Sequence, residues 1–237
     1  MISWFFGGAY IFGSKDQFDP ILPFYNGVGL LQESGGNVIF VSSNYRVQYS
    51  FDFPQLGLTL GQVGAFGWLA GTTMEKDALP NTGLYDQRAV LQWIQDYIGL
   101  LGGDKTQVSA WGESAGAGSI MHHLVSIGGT QDPLFSKAVM QSPAFEVLFD
   151  RKGMLETTFQ NFSTLVGCAG QGVACLRAAD SATLSKANVA LNEAGPMGSF
   201  PVGPSADGGL IRQTPVLEYA SGRSALAKSF TCSQKPP

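Results

Sequence analysis

The stretch Gly112-Glu113-Ser114-Ala115-Gly116 constrains this chain more than any other. Gln107-Val108-Ser109-Ala110-Trp111 before it reads as a short buried strand, and Ala115 to Ile127 after it as a helix. A strand that turns into a helix within one residue strains the serine backbone and brings the helix close, so its neighbours must be small. Gly112, Gly116, Ala117 and Gly118 supply that room. The pattern is G-x-S-x-G, and it predicts that the Ser114 hydroxyl stands exposed above the carboxyl edge of a parallel sheet, placed to attack an acyl carbon.

The rest of the chain reads as the fold such a turn requires. Met1–Phe6 and Asn37–Ser43 are strand-like, and Leu84–Leu101 has helical periodicity with Leu91, Ile94, Ile98 and Leu101 on one stripe. Gly102-Gly103-Asp104 stops that helix, and Ala138–Gln141 is another strand. Strands separated by helices predict β-α-β units, hence an α/β fold with a mostly parallel sheet flanked by helices. The expected organisation is a single domain over residues 1–237, with a core over 1–148 and a helical, irregular portion over 149–237. Gly195–Gly209 is rich in Gly and Pro and is expected to be irregular.

An acyl-transfer serine needs donors for the oxyanion, a base for its proton and an acid to orient that base. Phe6-Gly7-Gly8-Ala9-Tyr10 follows the first strand, and glycine there lets backbone N–H groups face a substrate oxygen. The Ala115 N–H adds a donor. The base is harder to find. The two histidines are His122 and His123, in the same helix as Ser114 and roughly 12 Å or more from it at 1.5 Å per residue. They read as packing or surface residues. Adjacent helix positions point in different directions, and no cysteine or carboxylate cluster accompanies the pair, so neither metal nor cofactor is expected. Glu113 is expected to tune charge near the pocket.

Only 14% of residues are charged, against about 25 % in typical soluble domains. The net charge of −4 argues against a nucleic-acid partner. No apolar run approaches the roughly 18–20 residues of a membrane span. The N-terminal Met1-Ile2-Ser3-Trp4-Phe5-Phe6 lacks a basic stretch and reads as a strand, not a signal peptide. Cys168 and Cys175 close a short Gly-rich loop, either as a disulfide suited to a secreted protein or as two thiols. Asn161-Phe162-Ser163 is a glycosylation sequon.

These motifs resemble the type-B carboxylesterase/lipase family, which includes cholinesterases and secreted fungal lipases. The resemblance rests on Trp4–Tyr10, Asn44-Tyr45-Arg46, Asn81–Arg88 through Gly102-Gly103-Asp104, and Trp111–Gly118. Leu134-Phe135 through Gln141-Ser142, and Asp207-Gly208 with Ile211, also fit. It implies a partial α/β-hydrolase fold and two-step hydrolysis of small-molecule or lipid carboxylic esters through an acyl-serine. It further implies Ser114 as nucleophile, oxyanion donors at Gly8, Ala9 and Ala115, a Cys168–Cys175 disulfide and a secreted protein. Asp86 and Arg46 match positions that serve structure.

Three departures from the family follow. The triad Glu and His are expected beyond Pro237, so the chain is expected to be an inactive or partial esterase; the alternative is a non-catalytic cholinesterase-like binding module. Strands that normally precede Trp4 are expected to be missing from the chain. Val47–Gln62 separates Asn-Tyr-Arg from Val63–Gly71, where the family runs directly on. Valine codons begin with GT and one glutamine codon is CAG, the customary ends of an intron. A translated, retained intron is the expectation, with a surface insertion as the alternative. The tail Ser224–Pro237 lacks an apolar strand.

Overall fold

The computed structural model describes residues 1–16, 25–46, 50–53, 58–61, 64–196, 199–225 and 232–233. The strands are β1 (Ile2–Phe5), β2 (Phe40–Ser42), β3 (Ser50–Phe53), β4 (Leu58–Gly61), β5 (Ser109–Glu113), β6 (Lys137–Gln141) and β7 (Cys232–Ser233). The helices are α1 (Val28–Glu33), α2 (Gly64–Trp68), α3 (Thr82–Tyr97), α4 (Ala115–Gly129), α5 (Met154–Val166), α6 (Val173–Ala178), α7 (Ser181–Glu193) and α8 (Pro215–Ala220).

Among the described residues the main sheet has the order β2-β1-β5-β6-β7, and every pairing in it is parallel. Parallel neighbours need crossover connections, so helices cover the sheet. The register sets Phe5 beside Gly112 and Glu113 beside Gln141. The carboxyl ends of β1, β5 and β6 therefore lie together, where open α/β sheets bind their ligands. The buried side chains gather in two clusters, one with Phe5, Leu91, Ile94, Ile98, Ile120 and Leu124, the other with Phe6, Tyr45, Trp68, Leu84 and Phe159.

Leu101 departs from the expected stripe. Leu91, Ile94 and Ile98 are fully buried, but Leu101 is 65% exposed. The chain tightens into a 3₁₀ turn over Ile98–Leu101. Leu101 is the last residue of that turn, and Gly102 after it, at φ 78°, ends the run, so Leu101 stands at an exposed element end. The same stripe holds Gln87, also fully buried, which polarity had hidden. Helix α4 also ends early: Ser126, Ile127 and Gly128 leave helical backbone geometry, so its regular path closes at Val125.

Two further features concern the inserted segment and the tail. Within Val47–Gln62, β3 and β4 pair as an antiparallel hairpin separate from the main sheet; residues 47–49, 54–57 and 62 lie outside the described residues. The tail does contribute a strand. The two residues of β7 extend the main sheet beside Met140 and Gln141. A two-residue pairing carries no alternation for a sequence pattern to reveal.

In the helical portion, a Cys168–Cys175 disulfide joins the end of α5 to α6 across a Cα separation of 5.8 Å. Glu156 of α5 accepts hydrogen bonds from Thr72 Oγ1 and Thr73 N–H at 2.9 and 2.8 Å. Burial pushes the Glu156 carboxyl up, but these bonds and one from Gln160 outweigh it and hold it at about 2. That ionised carboxylate pins α5 to the loop before α3. No described helix is long and apolar enough to cross a membrane.

Candidate active site

Ser114 sits between β5 and α4 with φ 53° and ψ −120°. A side chain there is strained, at an order of 1–3 kcal/mol, and persists only where surrounding bonds fix it. Three do so. The Ser114 N–H donates to Gln141 O at 2.9 Å, and its carbonyl accepts from Gly118 N–H at 2.9 Å and Ala144 N–H at 3.0 Å. The turn is thus tied both to its own helix and to the segment leaving β6. At Gly118 a Cβ would overlap the Ala144 carbonyl, so only glycine lets the helix approach.

The loop after β1 closes on the same spot. A Cβ at Gly7 would lie 2.8 Å from Glu113 O and 3.0 Å from Ser114 Cβ. Gly8, Ala9 and Tyr10 all have positive φ, at 121°, 53° and 62°. Such a run turns carbonyls one way and N–H groups the other, making a nest for an anion. Three carbonyls of the segment are engaged. Phe6 O accepts from Tyr45 Oη at 2.7 Å, Gly8 O accepts from the Ile11 and Phe12 N–H groups at 3.0 Å, and Tyr10 O accepts from Gly64 N–H at 3.0 Å. The N–H groups of Gly8 and Ala9 donate to nothing among the described residues. The Ala115 N–H opens a helix and has no partner within it.

Tyr10 fixes this loop to the elbow. Its hydroxyl donates to Ala144 O at 2.6 Å, and its ring meets Trp68 edge-on at 4.7 Å. Burial raises the hydroxyl's pKa, so it remains a neutral donor. Glu113 is half-buried beside Gly7, and burial raises its carboxyl above the usual range.

A cavity of about 430 Å³ opens over Ser114. Ala9, Tyr10, Ala144, Glu146, Leu148, Phe200, Val202, Gly203 and Pro204 line it with Ser114. Leu148 is tied to the loop that forms the far wall, donating to Pro204 O at 2.8 Å and accepting from Ala206 N–H at 2.9 Å. Asn81 braces the same wall through Ser205: its Oδ1 accepts from Ser205 N–H at 2.8 Å and its Nδ2 donates to Ser205 O at 2.9 Å. Sequence reading had picked out Asn81 and Asp207 in separate motifs; here Asn81 Nδ2 also donates to Asp207 at 3.0 Å. Phe200 and Val202 were missed as pocket walls. Their alternating apolar positions inside a Gly/Pro-rich stretch were the available signal.

The histidines lie elsewhere. His122 and His123 are 1% and 0% exposed, and neither lines the cavity. Burial lowers both to about 3, with Arg88 and His122 adding to the effect on His123. His123 Nε2 meets Gln87 Oε1 at 2.9 Å, Gln87 donates to Ser119 Oγ at 3.2 Å, and Ser119 donates to Ala115 O at 2.9 Å. That chain ends on a helix carbonyl, not on the Ser114 hydroxyl. Arg46 and Asp86 form an ion pair at 2.9 Å that ties the segment after β2 to α3. Both stand apart from the cavity lining.

Residues 1–235 match a family described as "Carboxylesterase family". The chain is 44% identical over 222 residues to a protein of Arthroderma benhamiae named "Secreted lipase", covering 94% of this chain and 39% of that one. It is 33% identical over 220 residues to "Carboxylesterase patB" of Penicillium expansum, covering 91% of this chain and 35% of the other. Among solved structures, it superposes on a thermophilic pNB esterase with a TM-score of 0.75 and 27% identity, covering 95% of this chain and 41% of that chain. On EstA of Aspergillus niger the TM-score is 0.70 at 29% identity, covering 94% and 40%. The chain spans about two fifths of the length of these relatives.

Proposed function

The chain belongs to the carboxylesterase family, and we propose that it carries the nucleophile and oxyanion-binding part of a serine ester hydrolase. Its fold is the α/β-hydrolase fold. The observation that carries the proposal is a cavity lined by both Ser114 and Ala9, with unengaged N–H groups at Ala9 and at the adjoining Gly8 and Ala115. Ser114 Oγ attacks the carbonyl carbon of a small-molecule or lipid ester. The carbonyl oxygen gains negative charge, and those N–H groups stabilise it without reorganising. The tetrahedral adduct collapses to an acyl-serine as the alcohol leaves with a proton, and water then releases the acid. Leu148, Phe200 and Val202 offer an apolar wall to the ester's hydrocarbon portion.

The base of this reaction is neither His122 nor His123. Each is buried, neutral and directed into helix packing. We assign the base and its orienting acid to residues outside these 237. Losing a triad base costs on the order of 10⁶-fold in turnover and leaves only the weak residual help of the oxyanion hole and binding. The 237-residue chain on its own therefore turns over p-nitrophenyl butyrate at or near background. The same missing base favours a second reading, a non-catalytic binding module.

Prolonged incubation with an alkyl fluorophosphonate at alkaline pH separates the two. A peptide map with the phosphonyl group on Ser114, absent in Ser114→Ala, supports the hydrolase reading; label elsewhere, or none, supports the binding module. Robust ester turnover abolished by Ser114→Ala would instead show that these residues hold a base. Export from the cell is part of the proposal. The Cys168–Cys175 bond suits an oxidising compartment, and the similar proteins of Arthroderma benhamiae and Botryotinia fuckeliana are both named as secreted.

A further inference from the structure

We propose that Asn161 accepts an N-linked glycan when the chain passes through the endoplasmic reticulum. Asn161-Phe162-Ser163 is the one Asn-x-Ser/Thr sequence in the chain. A sequon alone is weak, so the argument rests on what the three side chains do in the fold.

The chain has seven asparagines. Six of them, Asn26, Asn37, Asn44, Asn81, Asn188 and Asn192, engage their side chains in hydrogen bonds. Asn161 makes none among the described residues. It is exposed on α5, off the stripe of Leu155, Phe159 and Phe162 that buries the helix. Its side chain lines an open groove of about 380 Å³ between α5 and the end of α7. A sugar on its amide nitrogen meets space and displaces no bond.

Ser163 supplies the second observation. It is 0% exposed, and its Oγ has no hydrogen-bond partner among the described residues. Elsewhere in these helices buried serines bond back to the carbonyl four residues earlier, as Ser119, Ser126 and Ser185 do. A buried hydroxyl without a partner costs stability, and alanine would serve packing better. The hydroxyl has no use in the folded protein. It has one in the unfolded chain, where Asn-x-Ser recognition requires it.

Burial of Ser163 also fixes the timing. The transferase needs that hydroxyl in reach, so transfer precedes the docking of α5. The Cys168–Cys175 bond, closed just after α5, belongs to the same oxidising compartment.

The test is translation of the full chain, behind a cleavable leader, with endoplasmic-reticulum microsomes. Delivery by the leader makes the outcome independent of whether Ser114 is a working nucleophile. The expected result is a protease-protected chain with one glycan's mobility shift. Peptide N-glycosidase in heavy-oxygen water removes the shift and converts Asn161 to labelled Asp. Asn161→Gln and Ser163→Ala each abolish the shift, while Ser163→Thr keeps it. Both unglycosylated variants, made without microsomes, melt no lower than the parent chain. A protease-protected chain whose Asn161 peptide is unmodified overturns the proposal, as does a shift that survives Asn161→Gln. A lower melt of Ser163→Ala overturns the claim that its hydroxyl is idle in the fold.

Discussion

Helix α4 begins at Ser114 and closes its regular path just past His123, and the two ends are built on opposite terms. At the first, the backbone is strained and fully bonded while the side chain opens on a cavity. At the second, the backbone is ordinary helix while the side chains are sealed from water and held neutral. The pair of regions teaches that a chemically capable residue is not a site. A hydroxyl with a weak intrinsic reactivity sits on the lining of a cavity; two imidazoles sit among packed side chains. At the elbow the residues were kept small: Gly118 lets Ala144 and Tyr10 close in.

The largest expected way to break this contrast is acid. A histidine held near 3 when folded and 6.5 when unfolded binds more protons in the unfolded chain between those values. Stability is therefore full above about pH 6.5 and falls as pH drops toward about 3, by on the order of 2 kcal/mol per histidine at about pH 5. Denaturant melts across that range, with His122→Leu/His123→Gln as comparison, check it. An unchanged slope in the double variant would mean that the imidazoles are not the groups responsible.

At the elbow end, Gly118→Val places its Cβ in the Ala144 carbonyl. Overpacking of that kind costs about 3 kcal/mol or more, and thermal melts should show it. A parent-like melting temperature would mean that the close approach is not obligatory.

The histidines themselves should separate. His123→Leu strands the buried Gln87 Oε1 and costs about 2 kcal/mol, whereas the ring nitrogens of His122 have no partner among the described residues, so His122→Leu costs nothing or stabilises. Equal losses in urea titrations would contradict this. The smallest effect is a gain. Ser114→Gly relieves the strained backbone and should raise stability by about 1 kcal/mol while removing all phosphonyl labelling. A loss of stability there would indicate that the hydroxyl itself holds the turn.

Much of the site was legible before the structure because its constraints are local. The elbow advertises itself in Gly112, Gly116 and Gly118, and the loop after β1 in Gly7-Gly8, since close approach and positive φ demand particular residues. Strands β1, β5 and β6 were legible as apolar runs. The rest depends on partners distant in sequence. Tyr10 reads as one more aromatic until Ala144 is opposite it, and Asn81 as a turn residue until Ser205 and Asp207 arrive. Gln87 was hidden because a polar residue on a buried stripe is explained only by His123 and Ser119. Leu101 was misplaced because periodicity does not say where a buried stripe runs out: the residue closes its turn just before Gly102 and is exposed there. Strand β7 was missed because pairing, not composition, makes it a strand.

The bonds at Ser114 have a consequence for redesign. Its amide and carbonyl are committed to Gln141, Gly118 and Ala144, and none of those contacts consults the side chain. The position is a socket, held open by the scaffold whatever is plugged into it. A thiol or a carboxylate introduced there would inherit the same orientation, the same anion nest and the same cavity, so the chemistry at residue 114 can be exchanged without rebuilding the protein around it.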